Sequence, residues 1–150
     1  MHWVRCISLW QPWASLMACG AKLVETRHWR TEVRGEVYIH AAKTTKGIAE
    51  LELLPDECEQ IRAMTYSLGL KVEQWRTRLP FGKLVAAGNL SDCLPASQAL
   101  RAYPLQEPFG DFSAGRWGHI YTGLRAIEWI PYRGSQGFFS ACIEEGEQDR

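Results

Sequence analysis

Two changes of direction inside one stretch, S-L-W-Q-P-W-A-S-L-M-A-C-G-A-K-L-V-E-T-R-H-W from Ser8 to Trp29, limit what this chain can fold into. Pro12 suits the first turn of a helix, where a missing N–H has no partner to lose. Gly20 suits the left-handed position that ends a helix. Ahead of Pro12, the apolar run from near Trp3 to Ile7 and Leu9 has the composition of a strand. Between the two breakers Trp13, Leu16 and Met17 recur at helical spacing and give one apolar face. A second strand comes next, from about Leu23 to Trp29. The unit reads as strand, helix, strand.

Side chains alternate along that second strand. Val24, Thr26 and His28 share one face; Leu23, Glu25, Arg27 and Trp29 share the other. Glu25 and Arg27 therefore point together. Lys22 points away from them if the strand is regular from Gly20 onward, and joins them only if Gly20-Ala21-Lys22 is still turn. The plain reading is a surface Glu–Arg pair worth ~0.2–1 kcal/mol. The density of tryptophan, carboxylate, basic residues and glutamine in so short a stretch argues instead for a binding pocket.

After a polar turn at Arg30–Arg34, Glu36–Ala42 reads as a strand with Tyr38 and His40 on one face and Val37 and Ile39 on the other. His40 is first of all a half-buried strand residue hydrogen-bonded to a neighbour, with ligand contact as its second reading. Lys43, Thr44 and Thr45 end the strand and can cap the next helix. Lys46–Leu70 has helical periodicity, interrupted by Gly47 and Pro55, with Pro55-Asp56-Glu57 in the first turn of the second helix. Its charges make a solvated face. Val72–Arg78 is left open, with Trp75 covering an edge of the core. A turn at Pro80-Phe81-Gly82 leads into a strand, about Lys83–Cys93, whose Gly88 predicts a bulge or bend. Pro95–Tyr103 is a short helix. The stretch E-P-F-G-D-F-S-A-G-R-W-G-H is a shaped loop anchored by Phe109, Phe112 and Trp117, in which Asp111 and Ser113 bond local backbone. Arg116 offers a flat donor fork to a carboxylate, a phosphate or a base edge. His119–Ile130 is a strand broken near Thr122-Gly123 and ended by Pro131. Tyr132–Gly137 is a turn, Phe138–Ile143 a last strand, and Glu144–Arg150 an acidic tail expected to fray.

At 150 residues the chain reads as one domain, spanning 1–150. Its 17 basic and 17 acidic residues balance, which argues against tracking of a long phosphate backbone and for local recognition of a base or a few nucleotides. Seven tryptophans exceed what a core this size needs, and the surplus suits stacking platforms. The five cysteines are scattered without zinc spacing and read as small, mostly buried thiols of a reducing cytoplasm. No cofactor, metal or membrane contact is expected, and the protein is expected to be soluble and cytoplasmic; its oligomeric state is left open.

One set of motifs resembles a known family. G-A-K-L-V-E-T-R (Gly20–Arg27) fits the G-x-K-x-x-E-x-R signature of the ASCH (activating signal cointegrator homology) domain. The preceding S-L-W-Q-P-W-A is similar to the opening of its short, single-domain branch. R-G-E-V-Y-I-H-A-A-K, P-F-G-K-L-V-A, F-G-D-F-S-A-G-R-W and R-G-S-Q-G-F-F continue the match in order. The resemblance implies an α+β fold, a small mixed PUA-like β-barrel with two or three helices packed at its ends. It implies that Lys22, Glu25 and Arg27 lie along a cleft, with Trp10, Gln11, Trp13, His40, Lys43, Arg116 and Trp117 near it as ligand contacts. The implied partner is single-stranded RNA or a modified nucleoside. Indole stacking supplies about 1–3 kcal/mol per base, so one stacked base with one bidentate contact gives roughly 2–6 kcal/mol, short of a micromolar complex. The resemblance also admits a metal-free hydrolase, acting on N4-acetylcytidine or as a ribonuclease. Glu25 would then be the general base and Lys22 or Arg27 the oxyanion partner. In the amidohydrolase branch a threonine stands at the position of Glu25; here Thr26 points to the opposite face, which argues against a threonine nucleophile. A coactivator-like protein-interaction domain is the third reading.

Overall fold

Alternation along the first strand, β1 (His2–Leu9), feeds two separate cores. Ile7 and Leu9 pack with Val37, Ile39, Val85, Leu90 and Tyr121, while Val4 and Cys6 pack with Tyr38, Leu84, Ala87 and Ile127. Where both faces are covered, consecutive residues are apolar, as at Cys6 and Ile7 and at Val37, Tyr38 and Ile39. The computed structural model describes residues 1–144. The tail expected to fray lies, from 145 onward, outside the described residues.

The remaining strands are β2 (Val24–Arg27), β3 (Gly35–Ala41), β4 (Lys83–Pro95), β5 (Trp117–Pro131) and β6 (Phe138–Ile143). Their order is β2-β5-β4-β3-β1-β6, with β1 and β3 parallel and the other pairs antiparallel. Register shifts in the β4–β5 ladder include one across Gly88, at the bend expected there. A Cβ at Gly88 would stand 2.6 Å from the Leu124 side chain, so only glycine fits this approach. β5 runs through Thr122 unbroken. Its Gly123 takes a positive φ of 62° and bends the strand instead of ending it. The two terminal strands of the ladder meet through side chains. Trp29, just past β2, makes an edge contact with Phe138 at the start of β6, ring centroids 5.7 Å apart.

Among the described residues five α-helices, more and shorter than the two or three expected, cover the barrel: α1 (Trp13–Ala18), α2 (Lys46–Glu52), α3 (Glu59–Leu68), α4 (Trp75–Arg78) and α5 (Ala96–Ala102). Short 3₁₀ segments occupy Val72–Gln74 and Pro104–Phe109. α1 joins two cores: Ala14 and Met17 face the sheet, and Leu16 faces Ile48, Ile61, Met64, Trp75 and Phe109. Trp75 is fully buried in that second layer and does not cap an edge. Gly47 does not interrupt α2. A Cβ there would lie 2.5 Å from the Gln11 carbonyl oxygen and 2.8 Å from the Trp13 ring, so glycine lets α2 close on α1. Pro55-Asp56-Glu57 precede α3 and leave Glu59 as the acid of its first turn.

The five cysteines are free thiols, of which Cys6 and Cys93 are buried and Cys19 exposed. Burial pushes the Cys6 thiol up to about 12, so it stays protonated. No helix among the described residues is long and apolar enough to cross a membrane.

Candidate functional site

The turn after α1 decides where Lys22 points. Gly20 takes a positive φ of 83°, and the amides of Ala21 and Lys22 both donate to the Leu16 carbonyl. Gln106 then pins the next residues. Its Oε1 accepts from the amides of Leu23 (2.7 Å) and Val24 (3.3 Å), and its Nε2 donates to the Ala21 carbonyl (3.0 Å). Because β2 starts only at Val24, Lys22 escapes the alternation of the strand and turns back beside Glu25.

Lys22 is 1 % exposed, and its Nζ donates to the carbonyls of Val24 (2.8 Å) and Phe109 while lying 3.4 Å from Glu25 Oε1. An ammonium has three N–H groups, and these acceptors take all three. Glu25 Oε2 accepts from Arg27 Nε at 2.8 Å, and Arg27 Nη2 donates to the Ser8 carbonyl at 2.8 Å. The Arg27 guanidinium also lies 5.9 Å from the centroid of the Trp29 ring. Burial works to raise the Glu25 carboxyl, but Lys22 and Arg27 on either side outweigh it and hold it below the ordinary value. Burial pulls Lys22 down from its ordinary 10.5, against the opposing pull of Glu25. The cluster is an ionised carboxylate clasped by two cations.

This cluster forms one wall of a cleft of about 490 Å³, whose lining also includes Ser8, Trp10, Trp13, Thr26, Gln60, Phe109, Gly110, Asp111 and Arg116. Arg116 is fixed by the loop before β5. Its Nη2 donates to the Thr26 carbonyl (2.9 Å) and its Nε to the Asp111 carbonyl (3.0 Å), with Asp111 Oδ2 at 3.6 Å. Thr26 Oγ1 in turn accepts from the Asp111 amide at 3.2 Å. The same lining holds the indoles of Trp10, 41 % exposed, and Trp13, half-buried on α1. Beneath Glu25, His119 occupies the paired position on β5. Its Nε2 donates to the Trp29 carbonyl (3.0 Å), and burial holds the ring below the ordinary imidazole value.

The ASCH domain model matches residues 7–129 of the chain. The chain belongs to the ASCH domain family. Activating signal cointegrator 1 of Mus musculus is 34% identical over 108 residues, which are 72% of this chain and 16% of that relative. The protein of the same name in Homo sapiens is 35% identical over 99 residues, 66% of this chain and again 16% of the relative. The chain thus spans about a sixth of the length of these relatives. Among solved structures, an ASCH protein from Zymomonas mobilis superposes with a TM-score of 0.53 at 13% identity, over 95% of this chain and 89% of that one. A point variant of it gives 0.52 at 11% identity, over 96% and 92%. At such identities the likeness concerns the fold, the PUA-like barrel that ASCH domains share.

In this ASCH domain the signature residues Lys22, Glu25 and Arg27 meet in the cleft together with Trp10, Trp13 and Arg116. Gln11, His40, Lys43 and Trp117 are not among the lining residues. Gln11 is fully buried and staples α1: its Nε2 donates to the Pro80 carbonyl (2.7 Å) and to Ser15 Oγ (2.8 Å), and its Oε1 accepts from the Ser15 amide (3.0 Å). His40 is buried with both nitrogens engaged. Its Nε2 donates to the Tyr132 carbonyl (2.7 Å), so its bare Nδ1 accepts from Ser8 Oγ (2.8 Å). Gly134 closes over this pair, where a Cβ would lie 2.7 Å from both. Lys43 is exposed, its stem lying against Gly82. Trp117 sits under Arg30, 5.9 Å from the ring centroid.

Sequence reading missed Gln60 and Gln106. Gln60 enters the lining from α3, one turn before the buried Met64, and only the packing of α3 on α1 reveals it. Gln106 comes after Pro104 in an irregular segment, where no local signal marks it as the support of Lys22.

Proposed function

We propose that the cleft binds single-stranded RNA or a modified nucleobase, with the base stacked on Trp13 or Trp10 and its edge met by the charged wall. One observation carries this reading: two indoles, one exposed and one half-buried, and two pinned guanidinium groups line a single cleft of about 490 Å³, a size suited to one small ligand. Glu25 favours binding over hydrolysis. Both of its oxygens are engaged by cations, and a carboxylate held below its ordinary pKa is a weak general base.

The test incubates the protein with short labelled single-stranded RNA and, separately, with N4-acetylcytidine. Retention of RNA without cleavage, weakened about tenfold or more by Trp13→Ala, is the expected outcome. Cleaved RNA or released acetate, abolished by Glu25→Gln, would replace the binding reading with the hydrolase.

A further inference from the structure

The cleft wall carries more positive charge than its carboxylates match. Lys22 and Arg27 share the single carboxylate of Glu25, and the three are only 1 %, 22 % and 13 % exposed. Arg116, 29 % exposed, faces the mostly exposed Asp111 at 3.6 Å. A cation withdrawn from water without a matching anion is unfavourable, and an incoming anion relieves it.

The two guanidinium groups are also held ready. Arg27 is fixed by Glu25, the Ser8 carbonyl and the face of Trp29, and Arg116 by the carbonyls of Asp111 and Thr26. Both arginines line the same cleft, and both are near enough to Lys22 to act on its charge. In each, Nε and Nη2 grip the protein, and Nη1 has no hydrogen-bond partner among the described residues. Fixed forks of this kind match the oxygens of a phosphate.

We propose that Arg27 and Arg116 together hold the phosphate of a nucleotide, so that the cleft takes a phosphorylated unit in preference to a bare nucleoside. The inference rests on the base-binding reading for the indole side of the cleft. The phosphate belongs either to a mononucleotide or to the end of an RNA strand, and binding measurements separate the two.

The four ribonucleosides, their 5′-monophosphates, inorganic phosphate and a short RNA with or without a 5′-phosphate are titrated by calorimetry at low salt. Guanidinium NMR signals of Arg27 and Arg116 are followed alongside. At least one monophosphate should bind about tenfold or more tightly than its nucleoside, and Arg116→Gln should erase that gain. Arg116→Lys, which keeps the charge and loses the fork, should recover only part of it; unchanged melting of both variants excludes misfolding. A preference for RNA bearing the 5′-phosphate assigns the site to a strand end, and its absence with mononucleotide binding intact assigns it to the free nucleotide. Phosphate shifting both guanidinium signals while no nucleoside or RNA binds would support the anion site and sink the base-binding reading. Equal affinity for nucleosides and monophosphates, or a monophosphate preference indifferent to Arg116→Gln, would overturn the anion site and leave base binding standing.

Discussion

Ser8 belongs to two buried polar networks that differ in one respect. Its carbonyl accepts from Arg27 in the Lys22–Glu25–Arg27 cluster, and its hydroxyl donates to His40, which bonds on to the Tyr132 carbonyl. The His40 chain is sealed. Both ring nitrogens are engaged, and Gly134 lies against the pair. The Arg27 cluster opens on the cleft and has donors to spare. Burial and hydrogen bonding are common to both, so neither marks a site. What separates a binding wall from a structural clasp is unspent hydrogen-bonding capacity facing open space.

That contrast breaks or holds under mutation. The largest effect is expected from Glu25→Ala, which leaves Lys22 and Arg27 without their shared counter-charge and should lower stability by about 3–5 kcal/mol. Urea unfolding measures it, and a midpoint within error of the parent would refute a buried charge cluster. Next comes His40→Ala, which strands the Ser8 hydroxyl and the Tyr132 carbonyl and opens a void, for about 2–3 kcal/mol. RNA affinity measured under folding conditions should not move; a weakened complex would mean the clasp is part of the site after all.

Gly47→Ala drives a methyl group into the Gln11 carbonyl and the Trp13 ring and should destabilise by about 1–3 kcal/mol. Tryptophan emission should shift with it, since α2 can no longer close on α1. A smaller effect is expected from pH. His40 and His119 are held below their ordinary 6.5 by burial, so the unfolded chain takes up protons first as pH falls. Their contribution is complete above about 6.5 and is lost as pH drops through the depressed folded values. The urea midpoint should decline from pH 7.5 toward pH 5, and His40→Gln should flatten the slope. The least effect belongs to Arg76→Ala, which breaks an exposed pair with Glu52 that belongs to neither network and should leave melting unchanged.

Much of this was readable from the residues. Pro12 and Gly20 bracketed α1, alternation placed Glu25 beside Arg27, and Gly88 announced the bend of β4, because each depends on local backbone chemistry. Whether Lys22 joins them was not local. It depends on Gln106, more than eighty positions along the chain and bonded to the turn from outside. Gln11, and His40 on its second reading, show the converse difficulty. A polar residue in an aromatic stretch resembles a ligand contact, but Gln11 spends its amide on Pro80 and Ser15, and His40 its ring on Ser8 and Tyr132. Gly47 reads as a helix interruption until the helix that presses against it is known.

The ladder stops at β2 and at β6, and rings, not amides, span the gap. A fully stitched cylinder would commit its main-chain oxygens to neighbouring strands. Here the oxygens of Ser8 and Thr26 stay at liberty, and each serves as the mooring of an arginine. The open edge of β2 and the end of the β6 pairing at Ile7 are thus what give the barrel somewhere to tether two cations.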